Sequence, residues 1–318
     1  SSDVCSSDLA SLGCMPFEMD KWYVDVAMSG SQKGLMTPPG LGFVAASDRA
    51  WDAHKKANLR TPYWDWTERE GSEHYRKYAG TAPVHLLFAL REAINMLHAE
   101  GLQNAFERHR LLGEAVRRAV AVWAEGQVLG FNIAEPTERS NTVTTVTVKG
   151  ADPAAIQRYA KEKCGVVLGT GIGDLQGQAF RIAHMGHVNA PMILGTLGVV
   201  GILWGGLVCL VEPELKRLVA WSSVAHMGFV VLALSTGTRT GVASAVLGNL
   251  AHGVVSALLF AAVGVLKTQW GTGLMRDRPA LRDSHPRLGV LLLVGLAAGA
   301  DDYLTKPFRM REVVARIH

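Results

Sequence analysis

Three long stretches of the chain carry no charged side chain, at 191–211, 218–235 and 242–266. Their lengths of 21, 18 and 25 residues are close to the roughly 20 apolar residues that a helix needs to cross a bilayer core of about 30 Å. A buried core helix is the alternative, but such helices seldom continue past about 20 uncharged residues. The pattern therefore predicts two to three long transmembrane-like α-helices in the second half of the chain.

The part of the chain before residue 191 has much shorter apolar stretches. Compact apolar or alternating stretches predict strands at 25–29, 41–46, 141–148, 166–168 and 180–182. Apolar positions with a helical period predict helices at 85–100, 105–125 and 152–162. Thr81 is predicted to cap the first of these helices and Asp152 the third. Because the buried strands contain few charges, the pattern predicts an α/β fold with a mostly parallel sheet.

The composition narrows the classes of function. A length of 318 residues allows about two domains. Residues 199–298 hold eight Lys/Arg and four acidic residues, which accounts for the whole formal net charge of +4. The rest of the chain is therefore close to neutral and does not indicate a nucleic-acid surface, whereas basic residues beside apolar runs are typical of membrane-helix ends. The four cysteines show no metal-ligand spacing, so no metal site is predicted.

The first nine residues differ from the rest of the chain in character. They contain Ser-Ser-Asp twice and resemble the translation of a common sequencing-adapter oligonucleotide. The alternative is a short disordered polar terminus. They also lack the basic region and apolar core of a signal peptide, so under either interpretation we expect no contribution to the fold.

A glycine-rich loop around Lys33 carries the most specific chemistry. Residues 29–43 read Ser-Gly-Ser-Gln-Lys-Gly-Leu-Met-Thr-Pro-Pro-Gly-Leu-Gly-Phe. A lysine amine can form a Schiff base with an aldehyde cofactor, and glycines let a flat ring approach the backbone. The alternative is a surface lysine in a flexible loop. The segment resembles the cofactor-lysine segment of class V aminotransferases, most closely the serine–glyoxylate and alanine–glyoxylate group, which implies that Lys33 binds pyridoxal 5'-phosphate (PLP).

Four further residues match motifs of the same family. Tyr78 and Thr81 resemble the Tyr-x-x-Thr pair whose hydroxyls reach the PLP phosphate of the neighbouring subunit in a homodimer. Alternatively they are a turn tyrosine and a helix cap. Arg181 resembles the arginine that binds the substrate carboxylate through a bidentate grip, and its alternative is a strand-end surface arginine. Gln32 is a further candidate for holding the phosphate, with structural packing as the alternative.

The resemblance covers about 190 residues. It divides them into a remnant of the PLP-binding large domain at 10–140 and a small C-terminal domain at 141–199. It implies amino-group transfer from a small amino acid such as serine or alanine to glyoxylate, with amino-acid and 2-oxo-acid substrates and a cytoplasmic location.

One departure from the family concerns the aspartate that pairs with the pyridine nitrogen of PLP. The register places this aspartate at Ser7, and Asp8 is one residue out of register. The aromatic ring-stacking residue and the glycine-rich phosphate loop would lie further upstream and are absent from this chain. We therefore expect little activity from the chain as it stands.

The second half of the chain resembles a different family. Residues 212–228 and 251–260 are similar to the antiporter-like subunits of NADH–quinone oxidoreductase, notably subunit M. Buried lysines and histidines form a proton path in that family, which implies such a role for Lys216 and His252. Alternatively, Lys216 lies at a helix end and its amine reaches the interface. The alternative function is therefore a membrane fragment, at 200–298, of a proton-translocating protein.

The last twenty residues resemble the end of a response-regulator receiver domain. Residues 299–308 read Gly-Ala-Asp-Asp-Tyr-Leu-Thr-Lys-Pro-Phe, in which Lys306 and Tyr303 match the family's lysine and switch aromatic. An ordinary turn and amphipathic helix is the alternative. Because no linker separates these segments, we expect a chimera of unrelated sequences with sparse contacts between them.

Overall fold

The computed structural model describes residues 5–7, 10–275 and 289–290, and these residues form two compact units. The first unit contains the described residues up to 118 together with 131–147 and 179–189. The second contains 119–130, 148–178 and the described residues from 190 onward. The receiver-like tail predicted at 299–318 lies outside the described residues. The domain boundaries predicted from the sequence stay a prediction.

The first unit opens with a three-stranded sheet. Its strands are β1 (Cys5–Ser7), β2 (Val26–Gly30) and β3 (Gly42–Ala46), in that order. β1 runs parallel to β2, whereas β3 is antiparallel to it. The prediction of a mostly parallel sheet is wrong for β2 and β3, because their short connection cannot hold the crossover that parallel strands need. β1 also lies in the segment from which we expected no contribution to the fold.

A helix that the sequence pattern did not predict follows this sheet. Helix α1 (Asp48–Lys56) begins after Ser47, whose hydroxyl accepts a hydrogen bond from the Ala50 amide at 3.2 Å. Asp48 in the first turn and basic residues in the last turn complement the helix dipole. Two short 3-10 helices follow, at Thr67–Arg69 and His74–Tyr78.

Two longer helices follow close to their predicted positions, α2 (Val84–Glu100) and α3 (Leu102–Ala124). The predicted cap by Thr81 is wrong. The N-cap position is Pro83, whose carbonyl accepts from the Leu86 amide at 2.9 Å, and no side chain caps the helix. The helix therefore begins too late for the Thr81 hydroxyl to occupy the capping position.

Strands β4 (Leu129–Phe131) and β5 (Val143–Val148) come next, with a 3-10 helix at Pro136–Glu138 between them. The residues of β5 alternate between partly and fully buried, as its sequence alternation predicts. Helix α4 (Pro153–Cys164) belongs to the second unit. Asp152 caps α4 as predicted, because its carboxylate accepts from the Ala154 amide at 2.8 Å.

The strand predicted at 166–168 is absent. The Val166 amide instead closes the end of α4 by donating to the Ala160 carbonyl at 2.9 Å, after Gly165 adopts a left-handed conformation. Strand β6 is limited to Gly169–Thr170, and a 3-10 helix spans Gly173–Leu175. Strand β7 (Ala179–Ala183) returns to the first unit and pairs antiparallel with β5, placing Arg181 opposite Thr145.

Three long helices complete the second unit: α5 (Ala190–Val211), α6 (Leu215–Ser235) and α7 (Arg239–Trp270). Each is long and apolar enough to cross a membrane, which agrees with the prediction from the uncharged stretches. One core cluster joins α6 to α7 and consists of Val219, Leu259, Ala262, Val263 and Leu266.

Helices α5 and α6 also meet residues at and just after the end of α3 in the second unit. A β-carbon on Gly126 would lie 2.6 Å from the Trp221 ring, and one on Gly201 would lie 3.8 Å from Trp123 Nε1. The expectation of sparse contact between the two sequence segments allows isolated contacts of this kind and stays a prediction. Leu207 nevertheless remains 49% exposed, so the second half of α5 is not enclosed as a soluble core helix would be.

Candidate functional site

Lys33 lies on the loop between β2 and β3, where its side chain is partly exposed. Ser31, which is fully buried, holds the base of this loop. Its hydroxyl donates to the Pro38 carbonyl at 2.9 Å, and its own carbonyl accepts from the Thr37 hydroxyl at 2.8 Å and the Thr37 amide at 3.0 Å. Met36 turns the chain with a φ of 60° and donates its amide to the Lys33 carbonyl at 3.0 Å. The lysine therefore extends from a fixed backbone.

The backbone around Lys33 is enclosed by two other segments of the first unit. A β-carbon on Gly34 would overlap the Leu12 carbonyl oxygen and lie 2.7 Å from Cys14 Sγ. On the other side, a β-carbon on Gly186 would lie 3.2 Å from the Lys33 carbonyl oxygen. The glycine after the lysine is thus required by close approach, which gives the glycine-rich sequence a packing reason.

Two adjacent residues of α3 connect these enclosing segments. The Arg108 guanidinium pairs with Glu100 at 2.6 and 2.8 Å and donates to the carbonyls of Gly186 and Val188 at 3.1 and 2.9 Å. His109, fully buried, lies 3.3 Å from Cys14 Sγ and 3.2 Å from the Gly186 carbonyl oxygen through Nε2. No local sequence pattern pointed to this network.

The electrostatics of this network favour one charge state for each partner. The hydrogen bond from Arg108 lowers the pKa of the Glu100 carboxyl, so the pair is ionised at neutral pH. Burial lowers the pKa of His109, which keeps its imidazole neutral. Burial likewise lowers the pKa of the nearby His184 to about 4.

The other candidates for cofactor and substrate binding lie on the surface or at a strand. Gln32, Tyr78 and Thr81 are exposed, and Tyr78 ends the 3-10 helix at His74–Tyr78. Arg181 is partly buried on β7, five residues before Gly186, which packs on Lys33. The fold brings the Arg181 segment to the Lys33 loop, and it leaves Tyr78 and Thr81 exposed.

The donor set fits PLP in part. A partly exposed lysine amine suits the cofactor's aldehyde, and amide and hydroxyl donors suit its phosphate. Asp25 is buried near the loop but is already engaged by Ser47 at 2.8 Å and by two of the three Arg49 guanidinium nitrogens. It is therefore not free to pair with a pyridine nitrogen, and the register still assigns that place to Ser7.

A second polar cluster lies between α6 and α7. His252 Nε2 is 2.5 Å from the Ser223 hydroxyl and 3.1 Å from the Ser256 hydroxyl, and the His226 ring lies 5.5 Å away between centroids. Lys216 is exposed at the start of α6, seven residues before Ser223 and therefore roughly 10 Å along the helix. The two predicted proton-path residues are thus not neighbours.

Two sequence families match the chain. The family described as "Aminotransferase class-V" matches residues 7–179, and the family described as "NADH:quinone oxidoreductase/Mrp antiporter, TM" matches residues 178–300. The matches meet at about residue 179, some twenty residues before the join that we expected near 199. They agree with the two resemblances read from the motifs.

Curated relatives resemble the first part of the chain. The serine–glyoxylate aminotransferase of Methylorubrum extorquens is 38% identical over 195 residues, which is 59% of this chain and 48% of that protein. The Arabidopsis thaliana protein of the same name is also 38% identical, over 59% of this chain and 47% of its own length. The chain thus spans about half the length of these relatives.

Solved structures show the same relationship. The alanine–glyoxylate aminotransferase of Nostoc sp. is 30% identical with a TM-score of 0.54, covering 63% of this chain and 53% of its own. The ureidoglycine–glyoxylate aminotransferase of Bacillus subtilis is 26% identical with a TM-score of 0.53, and the match covers 63% of this chain and 51% of that structure's chain. These similarities confirm the predicted α/β fold of PLP-dependent transferases.

Proposed function

The chain belongs to the class-V aminotransferase family, and on that premise we propose that it carries the lysine-bearing part of the machinery for amino-group transfer from a small amino acid such as serine or alanine to glyoxylate. The observation that carries this proposal is the Lys33 loop, whose backbone is fixed by buried Ser31 and by the close approach of Gly34 to Leu12. Relatives named serine–glyoxylate aminotransferase support the choice of substrates.

Each candidate residue has a separate role in this proposal. The Lys33 amine holds the aldehyde of PLP, and Gln32 supplies an amide donor to its phosphate. Arg181 grips the substrate carboxylate with two parallel N–H donors. When bound, PLP supplies an electron sink that makes the substrate's α-proton acidic.

Tyr78 and Thr81 complete the site of a second copy in our proposal. Both side chains are exposed in the described chain, so their hydroxyls are available to a neighbouring molecule. The family resemblance implies a homodimer in which these hydroxyls reach the partner's phosphate. Tyr78→Phe would then weaken PLP binding to the partner copy and leave binding to Lys33 of its own copy unaffected. A mixed dimer of one Tyr78→Phe copy and one Lys33→Ala copy tests this, because its one remaining lysine site has an intact Tyr78 from the other copy.

Ser7 limits the activity of this chain in our proposal. Position 7 lies on β1, where it is the parallel partner of Met28 on the strand that leads to Lys33. Serine cannot form the ion pair that keeps the pyridine nitrogen protonated, so we expect little turnover. The aminotransferase part is expected to act in the cytoplasm.

The test is a serine–glyoxylate assay of the full chain in detergent with added PLP. We expect turnover close to that of Lys33→Ala, and we expect Ser7→Asp to raise it by roughly tenfold or more. Ser6→Asp is the matched control on the same strand. Equal rates for Ser7→Asp and Ser6→Asp would contradict the register, and equal rates for the parent and a full-length relative would contradict the expected inactivity.

The alternative function concerns the second half of the chain. We infer that residues 200–298 are a fragment of an antiporter-like membrane protein in which His252 belongs to a proton path. The polar cluster of His252 with Ser223 and Ser256 inside an apolar helix pair favours this function. Carbonate extraction of membranes from expressing cells tests the location, since a chain released with soluble proteins would contradict it.

We further propose that the aminotransferase-like, antiporter-like and receiver-like segments are of different origin, with Lys306 and Tyr303 in the last. The support is that two unrelated families match adjacent residues with almost no overlap. Amplification of source DNA across codons 170–205 and 295–305 tests this proposal. Products of full length from genomic DNA would show a true gene fusion instead.

A further inference from the structure

His109 joins the two segments that enclose Lys33, although it lies on a different element from either of them. Its Nε2 atom is 3.3 Å from Cys14 Sγ and 3.2 Å from the Gly186 carbonyl oxygen. Cys14 packs on the backbone of Gly34, next to Lys33, and Gly186 packs on the Lys33 carbonyl. The His109 imidazole therefore contacts both segments that pack on the backbone around Lys33.

The hydrogen bonds assign the tautomer of this imidazole. Nδ1 lies 2.6 Å from the Ala105 carbonyl oxygen, which can only accept, so Nδ1 carries the proton. In the neutral ring Nε2 is then an acceptor, and the Cys14 thiol is its available donor. The Gly186 carbonyl is satisfied independently by Arg108 at 3.1 Å. All four groups therefore have a partner when His109 is neutral.

We propose that His109 is a positioning residue for the cofactor lysine: it accepts a hydrogen bond from the Cys14 thiol and packs against Gly186, and so holds the Lys33 loop against the segment that carries Arg181. This proposal rests on the function proposed above for Lys33. The physical reason is burial: Cys14 and His109 are both fully buried, so loss of the imidazole leaves a cavity between the two segments and removes the contact of Nε2 with the Cys14 thiol. Arg181 is five residues before Gly186, so a shift of this segment moves the two proposed site residues relative to each other.

The test compares His109→Leu, His109→Gln and the exposed control His98→Gln in the full chain. Glutamine places an amide near the position of Nε2 and retains both a donor and an acceptor, whereas leucine retains neither. We expect His109→Leu to weaken PLP binding by roughly ten- to a hundredfold and to shift the pH midpoint of the lysine–PLP absorbance. We expect His109→Gln to recover most of the affinity and His98→Gln to match the parent.

Amide hydrogen exchange of the chain without PLP is the second measurement. We expect His109→Leu to speed exchange in 31–37 and 184–188 together by roughly tenfold, with 85–95 on α2 unchanged. Cys14→Ala should affect 31–37 more than 184–188. This variant also serves as the test if His109→Leu does not fold.

The two measurements separate the outcomes. If the parent fails to bind PLP at Lys33, the proposed function is wrong, while the exchange data still decide whether His109 holds the loop. If His109→Leu lowers only the unfolding midpoint, with parent-like exchange in both segments and parent-like PLP binding below that midpoint, His109 is a packing residue and the positioning role is overturned.

Discussion

Gly34 packs so closely on Leu12 that an added β-carbon would overlap the Leu12 carbonyl oxygen and lie 2.7 Å from Cys14 Sγ. The Leu12 oxygen belongs to the backbone and Cys14 is fully buried, so neither obstacle can move without displacing its surroundings. We therefore expect Gly34→Ala to destabilise the chain by about 1–3 kcal/mol. The measurement is the urea unfolding of the chain in mild detergent.

The matched control for this substitution is Gly42→Ala on β3. Gly42 has ordinary backbone angles, and nothing lies within 4 Å of its added β-carbon. It should leave stability within about 0.5 kcal/mol of the parent. Equal effects of the two alanines would contradict the packing of Gly34.

Asp25 anchors the start of α1 through Ser47 and Arg49. Its carboxylate is buried while the Arg49 side chain is 47% exposed, so the pair is only partly removed from water. We expect Asp25→Ala to cost about 1–3 kcal/mol, because Ser47 and Arg49 lose their shared acceptor. Asp52→Ala removes the exposed pair with Lys55 and should have little effect, which thermal unfolding of both variants can check.

His184 makes stability depend on pH. It donates from Nδ1 to the Asn141 carbonyl at 2.9 Å and accepts from the Thr144 hydroxyl at 3.0 Å, and burial lowers its pKa from 6.5 to about 4. The unfolded chain therefore binds a proton before the folded chain does. Stability contributed by neutral His184 is present above pH 6.5 and is lost as the pH falls toward 4, by about 3 kcal/mol in total.

The measurement for His184 is the free energy of unfolding between pH 7 and pH 4. His184→Gln should flatten this dependence, although it also lowers stability at pH 7 because the two hydrogen bonds change. The exposed His187→Gln is the control and should keep the slope of the parent. The interpretation fails if His184→Gln and the parent lose the same stability across this range.

Two adjacent glycines of α5, Gly205 and Gly206, test the contact between α5 and α6. A β-carbon on Gly205 would lie 2.7 Å from the Ala225 amide nitrogen and 2.9 Å from the Trp221 carbonyl oxygen of α6. Gly206 has nothing within 4 Å. We expect Gly205→Leu to separate α5 from α6 and Gly206→Leu to leave them paired. Cross-linking of cysteines introduced on the two helices in membranes would report the difference, and equal cross-linking would contradict this packing.

The sequence predicted those elements whose burial is local and periodic. Helices α2 and α4 and strand β5 bury a regular subset of their own residues, so their patterns are visible in the chain. Helix α1 buries no residue, so its local signals were limited to the capping Ser47 and to the charges in its first and last turns. The Val166 segment was apolar enough for a strand but is used to end a helix instead.

The candidate site likewise contains one residue that the sequence identified and contacts that it could not reveal. Lys33 was identifiable because its neighbours are unusual in sequence. The contact of Cys14 with His109 joins residues 95 positions apart, and no spacing rule could reveal it. The ion pair of Asp25 with Arg49 likewise depends on tertiary placement, since only the fold brings α1 beside the residue that precedes β2.

We propose Lys33 as the residue that binds the PLP aldehyde, and chemical labelling of the chain with PLP tests this assignment. The full chain is incubated with PLP, reduced with borohydride, digested and mapped by mass spectrometry. We predict one phosphopyridoxyl label, on the peptide that contains Lys33, and its loss in Lys33→Ala but not in Lys21→Ala. A label of equal yield on Lys21 or another lysine, or an unchanged label in Lys33→Ala, would contradict it.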